Sequence, residues 1–299
     1  MLHYGQDKLQ EQCTTPHKTK ILLDGGDAQE TLRVKKLLGF LDGQTTNPSL
    51  IAKNPRIKKS VAAGHGLSVR EQLVEYRNIV QAISPLVGDA GVSIEVFAEQ
   101  KTTAKEMLDQ GLEMFSWIPN AFIKYPCTAE GLRAAEKSVG RDMRVNMTLC
   151  FSQAQAAAVY AATKGAKAPI YVSPFVGRLD DIGENGMELV KNVKRMYAAG
   201  DGHVAVLAAS IRSLEHLLYC FSLEAELVTV PAEILESWAG KGLPMPGSNF
   251  EYKASGRPIL YQKLDLDQPW ESFDIQHELT RKGIEKFAAD YRATLSHEG

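Results

Sequence analysis

Two periodicities alternate along the chain. Short apolar runs that carry a polar residue near their end are separated by longer segments whose apolar positions recur three and four residues apart. The runs are Lys20-Ile-Leu-Leu-Asp24, Phe40-Leu-Asp-Gly-Gln-Thr-Thr46, Gly91-Val-Ser-Ile-Glu-Val-Phe97 and Ala121-Phe-Ile-Lys-Tyr125. Four more follow: Arg144-Val-Asn-Met-Thr-Leu-Cys-Phe151, Pro169-Ile-Tyr-Val-Ser-Pro-Phe-Val176, His203-Val-Ala-Val-Leu-Ala-Ala-Ser210 and Glu226-Leu-Val-Thr-Val230. Each reads as a buried strand. Helical spacing fills 29–38, 55–62, 67–84, 101–111, 128–138, 152–164, 185–198, 212–221 and 232–239. Eight strands alternating with helices predict a parallel sheet, and eight is the number that closes a (β/α)8 TIM barrel. A doubly wound open sheet is the alternative. However, Asp24-Gly-Gly-Asp27 after the first strand lacks the G-x-G-x-x-G spacing of a dinucleotide turn.

The pattern predicts three parts. Residues 1–19 form a polar lead-in with a short helix near 7–12, residues 20–242 the α/β barrel domain, and residues 243–299 an appendage packed on the barrel. The appendage opens on the Pro/Gly-rich Leu243-Pro-Met-Pro-Gly247 and ends in an amphipathic helix over 275–294.

One lysine breaks the apolar pattern of the fourth run. Pro126 stops that strand from continuing as a central ladder member, and Thr128 occupies a helix N-cap position. Lys124 therefore sits within two residues of a strand's C-terminal end, where α/β folds place their chemistry. A buried, unpaired ammonium shifts its pKa downward, and the neutral amine is a nucleophile suited to Schiff-base formation with a carbonyl. A structural pairing with a buried carboxylate is the alternative.

The other strand ends are polar as well. They carry Asp24, Thr45 with Asn47, Glu95, Asn146 with Thr148, Ser173, and Ser210 with Arg212. Period-two alternation sets Asn146 and Thr148 on one face, and Thr45 and Asn47 likewise. Each has a structural alternative: Asp24 as a helix cap, Asn47 in an Asn-Pro turn, Glu95 as a counter-charge for Lys124. Together they outline one ring at the mouth of a barrel. Arg178 after the sixth strand and Ser210-Ile-Arg212 after the seventh suit an anion, because guanidinium forks and helix-start amides bind phosphate. A surface pairing of Arg178 with Asp180 or Asp181 is the alternative for that side chain.

Composition narrows the partners. The 299 residues carry a net charge of −2, which argues against electrostatic nucleic-acid binding. No apolar run approaches the roughly 20 residues of a membrane helix, and the N-terminus is too polar for a signal peptide. The four cysteines show no C-x-x-C spacing and read as reduced thiols of a cytoplasmic protein. The seven histidines are scattered without zinc-site spacing, so neither a metal nor a cofactor is expected. An iminium on Lys124 would polarise a carbonyl substrate instead.

These motifs resemble the transaldolase family. The likeness is carried by Asp24-Gly-Gly-Asp27, Gly43-Gln-Thr-Thr-Asn-Pro-Ser-Leu50, Ile123-Lys-Tyr-Pro-Cys-Thr-Ala-Glu-Gly131, Asn146-Met-Thr-Leu-Cys-Phe-Ser152 with Gln155, Ser173-Pro-Phe-Val-Gly-Arg178 and Ala209-Ser-Ile-Arg212. Gly283-Ile-Glu-Lys-Phe-Ala-Ala-Asp290 is similar to the family's final helix. The resemblance implies a class I, Schiff-base transferase of the pentose phosphate pathway. Its donors would be fructose 6-phosphate or sedoheptulose 7-phosphate, and its acceptors erythrose 4-phosphate or glyceraldehyde 3-phosphate. It makes Lys124 the nucleophile, Glu95 with Thr148 the holders of a proton-shuttling water, and Asp24 the general base. Thr45, Asn47, Asn146 and Ser173 would grip the sugar, and Arg178, Ser210 and Arg212 the phosphate.

Three positions depart from the family pattern: Tyr125 after the lysine, Gln44 in the Thr-Thr-Asn-Pro motif, and Gly25. Alternation aims Tyr125 outward, as packing. Phe175 stands where the fructose 6-phosphate aldolase branch tends to have tyrosine, which favours transfer over simple cleavage. An aldolase, a sulfosugar transaldolase and a non-catalytic sugar-phosphate-binding barrel are the rival readings. A homo-oligomer, most simply a dimer, is the expected assembly.

Overall fold

The computed structural model describes residues 18–296, so the lead-in helix expected near residues 7–12 lies outside the described residues. The first half of the chain runs β1 (Lys20–Asp24), α1 (Ala28–Leu38), β2 (Gly43–Thr45), α2 (Pro48–Ala52), α3 (Pro55–Ala62), α4 (Val69–Ile83), β3 (Gly91–Glu95), α5 (Ala104–Phe115), β4 (Ala121–Pro126) and α6 (Ala129–Val139). The second half continues β5 (Val145–Cys150), α7 (Gln153–Ala162), β6 (Ile170–Pro174), α8 (Val176–Asp180), α9 (Gly186–Tyr197), β7 (Val204–Ala208), α10 (Leu214–Ser222), β8 (Leu227–Val230), α11 (Ala232–Gly240) and α12 (Glu278–Arg292). The eight strands are parallel and close into a barrel, with β1 paired to β8. The fold is the expected (β/α)8 barrel. The short α8 was not legible as a helix, since five residues carry too little periodicity.

Local chemistry sets the junctions at which the strand ends become a site. Asp27, Ser68, Thr103, Thr128, Ser152 and Ser213 each accept a backbone N–H as helix N-caps, and Ser68 and Thr103 complete capping boxes with Glu71 and Glu106. Pro126 ends β4 as the Cα partner of Thr148. Its missing N–H falls at the edge of the ladder, where the chain turns toward Thr128.

Register then aligns the chemistry. Glu95 is paired with Lys124, Lys124 with Asn146, and Asp24 with Thr45. Paired residues of parallel strands share a face, so one interior row carries Glu95, Lys124 and Asn146. Phe122, two residues before Lys124 on β4, stacks on Tyr171, the register partner of Asn146, with ring centroids 4.3 Å apart, and fills the barrel beneath the lysine. Truncating Phe122 would cost about 3–5 kcal/mol. Tyr125 faces the other way and meets Ser138 of α6 at 3.0 Å, as alternation predicts. Gly111 of α5 makes room for it, because a Cβ there would lie 2.1 Å from the Tyr125 hydroxyl.

β5 departs from regular register after Met147, and Leu149 adopts φ 57°. This bulge presents the Leu149 carbonyl to Thr280 Oγ1 at 2.9 Å, which anchors the start of α12. Gly283 lets α12 approach closely, since a Cβ there would clash with Leu149 and the Arg178 guanidinium. The helix then crosses the barrel mouth, placing Lys286, Phe287 and Asp290 over it. The preceding segment does not line the mouth. It is strapped outside the barrel, where Gln153 exchanges two hydrogen bonds with the Gln262 backbone and Asn192 donates to the Ile259 carbonyl.

Candidate active site

The carboxyl ends of the strands open into a cavity of about 770 Å3. Asp24, Thr45, Asn47, Lys124, Thr148, Ser173, Phe175, Arg178, Ser210 and Arg212 line it. Of the candidate catalytic and substrate-binding residues, Glu95 and Asn146 alone do not. Both lie off the lining, in contact with lining residues.

Lys124 is the most buried charge on the cavity lining. Its Nζ lies 3.0 Å from Glu95 Oε2 and donates to the Thr46 carbonyl at 3.0 Å, and the lysine and glutamate side chains are each 4% exposed. The pairing explains how a lysine survives in the core of a barrel. It also leaves the pair poised, because burial pushes the Glu95 carboxyl above the ordinary carboxylate range against the opposing pull of Lys124. Both the nucleophile reading and the ion-pair alternative thus describe the same contact.

Tyr76 of α4 holds this pair from behind. Thr46 Oγ1 donates to the Ser93 carbonyl at 2.8 Å, so the 2.6 Å contact between Tyr76 and Thr46 hydroxyls requires Tyr76 to donate. Its oxygen then accepts the Glu95 N–H at 3.0 Å. Tyr76 therefore joins the backbone that Lys124 bonds to the backbone that carries Glu95. The sequence offered no signal for this, because Tyr76 occupies an ordinary apolar position of its helix.

The polar floor consists of two short hydrogen-bonded chains. Ser173 donates to Asn146 Oδ1 at 2.7 Å, and Asn146 Nδ2 donates to Ser93 Oγ at 3.1 Å. Thr45 donates to Asp24 Oδ1 at 2.7 Å, so Thr229 of β8 must be the donor in its 2.6 Å contact with Thr45. Burial raises the Asp24 carboxyl above its ordinary value, with Lys124 and then the Thr45 hydrogen bond opposing. Asp24 is not the helix cap; Asp27 takes that role. Asn47 does cap α2, accepting Leu50 N–H at 2.9 Å through Oδ1. That leaves its Nδ2 without a partner among the described residues, on the cavity wall. Among the described residues, Thr148 Oγ1 is buried with no partner, and Glu95 Oε2 has none beyond its ion pair. Unused hydrogen-bonding capacity in buried groups beside a nucleophile marks where a substrate hydroxyl or a water would bond.

The opposite wall is cationic. Arg178 is half-buried between the Phe175 and Phe287 rings, 5.4 and 5.3 Å from their centroids. It does not pair with Asp180 or Asp181. Arg212 instead pairs with Asp181 at 2.9 Å. Ser210 takes φ 58°, a left-handed conformation that a serine adopts at some cost, and its carbonyl accepts the Gly177 N–H at 2.9 Å. A side chain at Gly177 would collide with Arg212, so glycine opens that path.

Gln44 and Gly25 lie outside the cavity lining. Gln44 is buried between β1 and α1, accepting from Thr31 at 2.7 Å and donating to the Gly25 carbonyl at 3.0 Å. Sequence reading missed Thr229, Lys53, Lys58, Lys286 and Asp290, all on the cavity wall. Thr229 alone gave a signal, as the one polar residue inside an apolar run.

The class so far is a (β/α)8 barrel whose mouth holds a buried lysine–carboxylate pair, a second carboxylate and an arginine wall. The comparisons narrow the class. The profile of the Transaldolase/Fructose-6-phosphate aldolase family matches residues 21–298. A probable transaldolase of Bacteroides fragilis is 38% identical over 255 residues, covering 85% of this chain and 90% of that one. One from Phocaeicola vulgatus is 36% identical over 263 residues (88% and 94%), and one from Dehalococcoides mccartyi 34% over 274 residues (92% and 98%). The chain belongs to the transaldolase/fructose-6-phosphate aldolase family. Among the described residues, no helix is long and apolar enough to cross a membrane.

Proposed function

We propose that the protein is a transaldolase that moves a dihydroxyacetone unit from a ketose phosphate to an aldose phosphate through a Schiff base on Lys124. The observation that carries this reading is the buried Lys124–Glu95 pair in one cavity with Asp24 and the arginine wall. Glu95, its proton affinity raised by burial, takes the ammonium proton and frees the amine. The amine adds to the C2 carbonyl. The same proton, relayed past the Thr148 hydroxyl, helps the carbinolamine oxygen leave as water, and an iminium remains.

Asp24 then removes the C4 hydroxyl proton. The C3–C4 bond breaks, its electrons neutralise the iminium to an enamine, and C4 leaves as an aldehyde. A raised carboxyl pKa suits a group that must take this proton and later return it. The enamine carbon attacks the acceptor aldehyde, Asp24 protonates the new alkoxide, and hydrolysis releases the new ketose. Asn47, Ser173 and Asn146 fix the hydroxyls, while Arg178, Ser210 and Arg212 receive the phosphate.

Phe175 favours transfer over simple cleavage. Its ring packs edge-on to Phe151 and under Arg178, and it offers no hydroxyl with which to protonate the enamine. The test is borohydride trapping with fructose 6-phosphate, followed by peptide mass mapping. A three-carbon adduct on Lys124 is expected, discharged when erythrose 4-phosphate is added and absent in Lys124→Ala. An adduct on another lysine would overturn the site, and failure to discharge would make the protein an aldolase.

A further inference from the structure

Behind the arginine wall lies a histidine that the reaction does not use. His216, on the first turn of α10, is 8% exposed. Its Nδ1 accepts the backbone N–H of Arg212 at 3.3 Å, and its own N–H donates to the Ser213 hydroxyl at 3.2 Å. This resembles a capping box displaced by one residue, with the third helical side chain reaching back to the residue before the N-cap. Because Nδ1 accepts, Nε2 carries the proton, and it faces Asp180 Oδ2 at 3.4 Å. Asp180 is itself fixed, accepting the Gly186 N–H at 3.0 Å through its other oxygen.

These contacts join two segments. Asp180 closes α8, the helix that carries Arg178, while Arg212 follows the strained Ser210 after β7. The segments also meet through Gly177 N–H to Ser210 O, and through Arg212 to Asp181. The first is backbone, and the second is exposed and can exchange with a ligand. His216 is the buried side-chain link between them. Tyr252 closes over it edge-on, 5.8 Å between centroids, and stacks on Tyr219 at 4.7 Å, so the strapped segment before α12 shields it from water.

We propose that His216 is a positioning residue for anion recognition: it staples the Arg212 backbone to α8 and so sets the spacing of the two arginines. This rests on reading Arg178, Ser210 and Arg212 as the phosphate end. A staple acting there alters how the phosphate is held and leaves the lysine chemistry, on the far strands, alone.

The test compares His216→Leu, which removes both contacts, with His216→Asn, whose carbonyl replaces Nδ1 as acceptor, and with His216→Gln, which reaches only toward Asp180. Each full-length variant is assayed with fructose 6-phosphate, with unphosphorylated fructose, and for inhibition by inorganic phosphate, beside Arg212→Ala as a control. H216L is expected to raise both the KM for fructose 6-phosphate and the phosphate inhibition constant by about tenfold, the scale of one lost hydrogen bond to a group that must stay in place. Turnover number and activity on fructose should stay within about threefold of the native enzyme. H216N should recover most of the affinity and H216Q little; if H216L fails to fold, this pair decides the matter. Equal losses on both donors, an unchanged phosphate constant, or H216Q matching H216N would overturn the staple. An R212A variant that binds phosphate normally would instead sink the reading of the anion end itself.

Discussion

Two ion pairs of nearly equal length sit at opposite ends of the cavity. Lys124 meets Glu95 at 3.0 Å with both side chains 4% exposed, and Arg212 meets Asp181 at 2.9 Å with the two 52% and 58% exposed. The inner pair lies where water cannot screen it, so each partner is costly without the other, and burial holds the Glu95 carboxyl above its ordinary range. The outer pair is solvated and contributes little, about 0–1 kcal/mol. On the proposed function, the aspartate can therefore give up the guanidinium to the phosphate at little cost. Distance alone distinguishes nothing here; burial makes the partners of one pair depend on each other and leaves the other pair weak and solvated.

The largest effect comes from breaking the inner pair. Lys124→Met keeps the apolar stem and removes the amine, and turnover should fall by about 10^4-fold or more. Residual activity within a hundredfold of the native enzyme, measured by coupled assay, would mean the inner pair is structural.

Asp24→Asn separates chemistry from stability. Turnover should drop by about 10^2–10^4-fold through loss of the general base. Stability should move the other way at neutral pH. The folded carboxyl is raised above its unfolded value, so its stabilising contribution is complete below the unfolded value and is lost as pH rises through the raised folded one. Asparagine escapes that loss. Thermal melting should find D24N more stable than the native protein at pH 7, with the gap closing as pH falls to the ordinary carboxylate range. A gap that widens on acidification would contradict the burial argument.

At the outer end, Arg212→Ala should raise KM for phosphorylated donors by about 10–100-fold, the scale of a charged hydrogen bond, with a smaller change in turnover number. A loss confined to turnover number would place Arg212 in the chemistry rather than the grip. The smallest effect is expected from Asp181→Asn. Stability should stay within about 0.5 kcal/mol, and KM should fall slightly or hold, because the anion no longer displaces a carboxylate. A tenfold rise in KM would show that Asp181 orients Arg212 rather than parking it.

Much of this site was readable in the chain, for a physical reason. A strand end contributes residues to the mouth by position alone, so Asp24, Lys124, Asn146, Thr148 and Ser173 could be placed by counting along strands. What counting does not supply is depth. Glu95 and Asn146 stand in line with the others but sit off the cavity lining, Glu95 against Lys124 and Asn146 against Ser173. The partners of the arginines were equally hidden. Arg178 is adjacent in sequence to Asp180 and Asp181, yet it lies between Phe175 and Phe287, a ring contributed from more than a hundred residues away.

The local code of apolar runs, caps and turn residues determined eight strands, their helices and the ring of polar strand ends, since each depends on neighbours a few residues apart. Only the closed barrel decided that Tyr76 would clamp the lysine pair, that Thr229 would meet Thr45 across the seam, and that α12 would lie over the mouth. Those contacts join residues tens to hundreds of positions apart, and they exist only once the sheet has closed and packing has fixed which face of each helix turns inward.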